Sequence, residues 1–198
     1  MIYELKNGNG NIREYNFGKL IFIGETLNNK EYIKGKEYYK GRLIFEGEYL
    51  NEEKNGKGKE YNYEGQIIFE GEYLNGMRNG KGKLFTREGQ IEFEGEYLNG
   101  KRNGKGKEYY GKGKIKFEGE YLNGMRNGKG KEYKLEFIPT FIDENLNGGK
   151  KNYLGKSELL FEGEYLNDKR KEGKGKEYGW QGHLIFEGEY LDGKIWNG

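Results

Sequence analysis

Phe69-Glu70-Gly71-Glu72-Tyr73-Leu74-Asn75-Gly76-Met77-Arg78-Asn79-Gly80-Lys81-Gly82-Lys83 decides the fold, because it returns letter for letter at Phe117 to Lys131. Its core, Phe-Glu-Gly-Glu-Tyr-Leu, starts at Phe45, Phe69, Phe93, Phe117, Phe161 and Phe186, with a variant at Phe22. Neighbouring starts lie 23 to 25 residues apart, except for one gap of 44. Phe141-Ile142-Asp143-Glu144-Asn145-Leu146-Asn147-Gly148 keeps five motif letters inside that gap and reads as an eighth start. A fixed period of this length marks an array whose units bury their apolar faces against neighbours. Residues 1–198 are therefore expected to form a single array with a degenerate unit at about 134–157. At its end, Trp196 stands where other copies continue into Lys-Gly-Lys, which reads either as a cap or as a cut through a longer array.

Composition narrows how such an array holds together. Only 33% of the residues are hydrophobic, yet 16% are aromatic, with 18 Tyr and 11 Phe, and there is no Ala or Val. Disordered chains lack rings in this number, so burial must come from flat side chains on a thin sheet. A net charge of +2 gives no one-signed field to attract nucleic acid. With no Cys, disulfides and thiolate metal sites are excluded. The first residues lack the apolar core of a signal peptide, and no stretch has the length and apolarity of a spanning helix. The resulting expectation is a soluble cytoplasmic protein.

Gly every few residues and the absence of helical periodicity exclude helix for the array. Over Ile67 to Leu74, alternation places Ile67, Phe69, Gly71 and Tyr73 on one face and Glu70 and Glu72 on the other. Glu64-Gly65, Glu88-Gly89 and Gln181-Gly182 suit tight turns. Asn75-Gly76 suits one too. However, its Gly becomes Glu52 and Asp168 in other copies, so the expectation is a six-residue loop from Asn75 to Gly80. That loop sets Leu74 opposite Lys81, Tyr73 opposite Gly82 and Glu72 opposite Lys83, with a ring laid over glycine. It also places Glu60, Glu108, Glu132 and Glu177 on the aromatic face. An acidic row among rings is costly to bury unpaired, which predicts a face open to solvent or to a partner. Between Lys131 and Ser157 the pattern breaks, and Pro139 is expected at an edge, turn or bulge.

Catalytic chemistry has few candidates. His183 and Ser157 are the only residues of their types and lie in different repeats. Glu pairs such as Glu46 and Glu48 recur in copy after copy, whereas acid/base catalysis needs one pair tuned apart. Gly80 to Lys83 and Gly104 to Lys107 resemble phosphate loops, but no helix follows to complete one. No enzyme, metal site or cofactor is expected.

Phe93 to Gly106, Phe-Glu-Gly-Glu-Tyr-Leu-Asn-Gly-Lys-Arg-Asn-Gly-Lys-Gly, resembles the MORN (membrane occupation and recognition nexus) repeat: aromatic-x-Gly-x-aromatic, a Gly-Lys loop, then Gly-x-Gly. That resemblance implies an all-β, elongated, twisted antiparallel sheet of stacked β-hairpins with an aromatic groove. It also implies a scaffold that binds proteins or peptides, often near membrane or cytoskeleton. The expected partner-binding face is Phe45, Tyr49, Phe69, Tyr73, Phe93, Tyr97, Phe117, Tyr121, Phe161 and Tyr165. With the acidic row on the same face, the expected partner is a protein segment that is amphipathic and somewhat basic. The alternatives are peripheral binding to acidic phospholipid and self-assembly, for example as a homodimer through the array ends.

Overall fold

The computed structural model describes residues 2–6, 9–27, 32–140, 152–191 and 194–196, and its strands pair antiparallel in chain order. The chain divides into two units, residues 1–102 and 103–198. The first holds β1 (Ile2–Lys6), β2 (Asn9–Asn16), β3 (Lys19–Leu27), β4 (Tyr32–Tyr39), β5 (Arg42–Leu50), β6 (Glu53–Tyr61), β7 (Ile67–Leu74), β8 (Met77–Phe85) and β9 (Ile91–Leu98). β10 (Lys101–Gly111) begins at the boundary. The second unit continues with β11 (Lys114–Leu122), β12 (Met125–Thr140), β13 (Asn152–Leu166), β14 (Lys169–Tyr178), β15 (Leu184–Leu191) and β16 (Lys194–Ile195). Among the described residues the sole helical element is a 3-10 turn at Trp180–Gly182. The protein is all-β.

The repeat hairpin closes differently from its sequence expectation. Leu74 pairs with Met77 and Tyr73 with Arg78, so Asn75-Gly76 is a two-residue turn and no six-residue loop exists. Asn75 and Gly76 have φ of 49° and 78°, as a type I′ turn requires. Glu52 and Asp168 hold the Gly position with φ of 66° each, so the turn survives a residue that strains it. Beyond the turn the register jumps: Gly71 pairs with Gly82 and Glu70 with Lys83. The extra residues form a bulge, into which Glu72 turns its carboxylate to accept a hydrogen bond from the Lys81 N–H at 2.8 Å. Gly80, at φ 101°, packs so tightly on Glu72 that an added Cβ would lie 2.0 Å from its Oε2. The same Glu-to-backbone bond recurs from Lys57 to Glu48 and from Lys129 to Glu120.

Phe, not Tyr, is the ring that covers glycine within a hairpin. A Cβ on Gly82 would lie 2.4 Å from Cζ of Phe69, and one on Gly58 would lie 2.4 Å from that of Phe45. The core is thus a row of rings laid on a column of glycine backbone. At the other end of the hairpins, Asn62 accepts from the N–H groups of Glu64 and Gln66, fixing the turn that contains Gly65.

The motif start at Phe141 falls outside the described residues. On either side of it, β12 and β13 stay paired from Gly128 opposite Tyr165 out to Thr140 opposite Asn152, with Pro139 opposite Tyr153. Residues 133–140 and 152–159 therefore extend one hairpin, and the ring row passes directly from Phe117 to Tyr165, whose centroids are 5.0 Å apart.

Candidate functional site

Each hairpin contributes one Phe and one Tyr to the same face, because the two lie four residues apart on a strand. Within a hairpin the rings meet edge to face, as Phe69 and Tyr73 do at 5.8 Å and 89°. Between hairpins they do so again, Phe45 with Tyr73 at 5.1 Å and Phe69 with Tyr97 at 5.2 Å. The second unit repeats this through Phe117, Tyr121, Phe161 and Tyr165. Each such pair contributes about 0.5–1.5 kcal/mol beyond its buried area.

This packing leaves the rings little free surface. Phe45, Phe69, Phe93, Phe117 and Phe161 are 0–1% exposed, and Tyr49, Tyr73, Tyr97, Tyr121 and Tyr165 are 2–6% exposed. The ten rings expected to touch a partner are therefore the floor of the face. What stands above them is a layer of cations: Arg78 over Phe69 at 4.0 Å, Arg102 over Phe93 at 4.3 Å, Arg126 over Phe117 at 4.2 Å and Arg170 over Phe161 at 4.2 Å. Lys54 takes that role over Phe45 at 4.1 Å. Stacking of this kind is worth about 0.5–2 kcal/mol as the cation loses water.

Glu60, Glu108, Glu132 and Glu177 lie on this same face, each opposite a Phe of the row. They are not an open acidic track. Glu60 accepts from the Tyr73 hydroxyl at 2.7 Å and from Arg78 through two nitrogens. Glu108 accepts from the Tyr121 hydroxyl at 2.9 Å and from Arg126. Glu132 accepts from Tyr165 and Arg170, and Arg170 also reaches Glu177 at 2.9 Å. Glu37, which sequence reasoning did not single out, holds Tyr49 at 2.8 Å and Lys54 at 3.0 Å.

Burial pushes the Glu60 carboxyl up, but the hydrogen bonds from Arg78 and Tyr73 outweigh it and hold the group below the usual carboxylate range. Burial, then the hydrogen bond to Glu60, raises the Tyr73 hydroxyl well above its ordinary value, and burial with Glu37 does the same at Tyr49. Where the row supplies a glutamate, the face is therefore built of triads of Tyr, Glu and cation, charge-assisted and oriented.

The basic members of the triads were missed because the expected six-residue loop placed them outside the strands. A signal existed: Lys54, Arg78, Arg102, Arg126 and Arg170 all stand four residues after a motif Leu. The MORN repeat family model matches residues 45–66, 69–90, 93–115 and 117–134. Residues 45–134 carry MORN repeats. No curated protein matches it. Among solved structures, a TarM crystal structure shares 11% identity over 50% of this chain and 21% of its own, with a TM-score of 0.34. A second, of an S. aureus TarM mutant with bound ligands, shares 9% over 54% and 19%, with a TM-score of 0.27. The overlap thus spans about a fifth of each TarM chain.

MORN repeats are in general modules for protein or membrane interaction, and the family is not enzymatic in general. The remaining candidates for chemistry are placed as follows. His183 is exposed beside the 3-10 turn. The Ser157 hydroxyl is buried without a hydrogen-bond partner, so no Ser–His pair forms. Among the described residues no group of three His, Asp or Glu could hold a metal.

Proposed function

We propose that this MORN array is a non-catalytic scaffold that binds a segment of a partner protein along the ring-backed face. The observation that carries this reading is the cation layer: guanidiniums held over buried rings and pinned by glutamates present repeated donors in fixed positions. Preorganised groups lose little entropy on binding, so they can hold a partner without rearrangement. Because the glutamates are already engaged, the partner is amphipathic with acceptor groups toward the arginines, and a basic segment is not required.

The opposite face supports the acidic-phospholipid alternative poorly. Its lysines alternate with glutamates, as in Lys59 with Glu70 at 3.8 Å and Lys107 with Glu118 at 3.4 Å, which cancels attraction to an anionic surface. The test is affinity capture followed by mass spectrometry with the full chain and with Arg78→Ser and Arg126→Ser together. Loss of the captured partner with the β-type circular dichroism spectrum retained is expected. Undiminished capture by the folded variant would remove the face from consideration.

A further inference from the structure

The row of carboxylates that pins the cation layer is interrupted once in the first unit. Glu60 stands opposite Phe45 on one side and Phe69 on the other, and Leu84 occupies the equivalent place opposite Phe69 and Phe93. The groups that would have held a glutamate there remain in position. Arg126 reaches both Glu108 and Glu132, and Arg170 both Glu132 and Glu177, so an arginine of this layer bridges its own hairpin's carboxylate and the preceding one. Arg78 contacts a single carboxylate among the described residues, that of Glu60, because its own hairpin supplies Leu84.

Tyr97 shows the same gap from the other side. The equivalent tyrosines, Tyr49, Tyr73, Tyr121 and Tyr165, each donate to a glutamate, and Tyr97 donates to none among the described residues. Burial raises its hydroxyl, which is hydrogen-bonded to Arg102, and the nearby charges of Arg102 and Arg78 oppose that rise without reversing it. Glu92 stands nearby, half-exposed and 3.5 Å from Arg102, and makes no hydrogen bond to Arg78 or Tyr97.

We infer that the place above Leu84, flanked by Tyr97 and Arg102 of the following hairpin and by Arg78, is a carboxylate subsite, filled by an Asp or Glu side chain of the partner. Its template is internal: Glu60 between Tyr73 and Arg78 shows what a carboxylate accepts in this setting. Leu84 supplies a floor of apolar atoms that lowers the local dielectric and strengthens bonds to an incoming anion. The subsite also sets register, because a partner segment with one acidic residue has a single place along the first unit where that residue completes a triad. This inference rests on the partner-binding reading of the face.

The subsite can be tested without the partner. The full chain is titrated with N-acetylglutamate to about 100 mM at constant ionic strength, which removes generic screening effects, while the arginine Nε–H and tyrosine ring resonances are followed by NMR. A saturable shift at Arg78 and Tyr97 is expected with a dissociation constant in the millimolar range, about what one small carboxylate achieves. Arg126 and Arg170 should stay unmoved. Leu84→Glu places the missing carboxylate in the chain and should abolish the response, and Tyr97→Phe should weaken it about tenfold through the lost charge-assisted hydrogen bond.

No saturable shift, an equal response at Arg126 and Arg170, or tighter binding of inorganic phosphate than of the carboxylate would each overturn the assignment. Should Leu84→Glu not fold, the Tyr97→Phe comparison still decides. Failure of partner capture by the intact chain alongside a positive titration would defeat the scaffold reading and leave the subsite, whereas capture retained by Tyr97→Phe and by Leu84→Glu would detach the subsite from the partner.

Discussion

Arg126 and Glu108, on the ring-backed face, are 13% and 15% exposed, whereas Lys131 and Glu162, on the opposite face, are 42% and 43% exposed. Both are pairs of opposite charge, Arg126 and Glu108 two strands apart and Lys131 and Glu162 directly opposite each other, but the first rests on aromatic rings with a tyrosine hydroxyl sharing its carboxylate, and the second stands in water. Charge pairs in the open are worth a few tenths of a kcal/mol and weaken with salt. Pairs on the ring side have lost most of their water, so breaking one strands a partly buried charge. The same letters, Glu and Lys or Arg, thus act as a solubilising ladder on one side and as a preorganised layer on the other.

The largest expected effect exploits the buried hydroxyls of the ring side. Tyr49, Tyr73 and Tyr165 have folded-state values raised above the ordinary 10, so the unfolded chain ionises first. The stability tied to them is complete below pH 10 and falls as pH rises through the interval up to their folded-state values. Each should remove about 1.4 kcal/mol per pH unit in that interval. Denaturant melts at pH 9, 10 and 11 should show this steep loss, and a flat profile would mean the hydroxyls are not buried against carboxylates.

Next comes Gly71→Ala. The added Cβ would lie 2.6 Å from Gly82 Cα and 2.7 Å from the Lys81 carbonyl oxygen, both backbone atoms that have no rotamer to yield. A loss of about 3 kcal/mol or more in thermal or chemical denaturation is expected.

Turn variants give a smaller effect of opposite sign. Glu52→Gly relieves a non-glycine residue at φ 66° and should stabilise by about 0.5–1 kcal/mol. Asp168 has the same φ, but its carboxylate accepts from the Arg126 N–H at 2.8 Å, so Asp168→Gly should gain less or lose. Equal gains at both turns would show that this hydrogen bond contributes nothing.

Least affected should be the exposed ladder. A double-mutant cycle on Lys59 and Glu70, which are 38% and 50% exposed, is expected to give a coupling below about 0.5 kcal/mol that vanishes in high salt. A larger coupling would erase the distinction between the two faces.

The β-hairpin repeat and the placing of the rings and of Glu60, Glu108, Glu132 and Glu177 on one face were legible in the sequence, since period-two alternation and a fixed repeat suffice to assign faces; the ring over Gly82 was expected to be Tyr73 and is Phe69. The hairpin register was not. Glu52 and Asp168 at a left-handed turn position argued for a loose loop, and the stored strain that the fold tolerates there leaves no mark in a string of letters. From that one misreading followed the missed cation layer, because Arg78 and its equivalents face the rings only when Asn75-Gly76 turns the chain in two residues.

Sequence alone determined which residues recur and on which side of a strand they stand, because those are local properties of alternation and spacing. Whether the rings are reachable, which cation covers which Phe, and that Leu84 leaves Tyr97 without the carboxylate its equivalents hold and Arg78 with one where Arg126 and Arg170 reach two, were decided only when strands from successive repeats came together. Each triad draws its members from neighbouring hairpins, and the distance between hairpins is a property of packing.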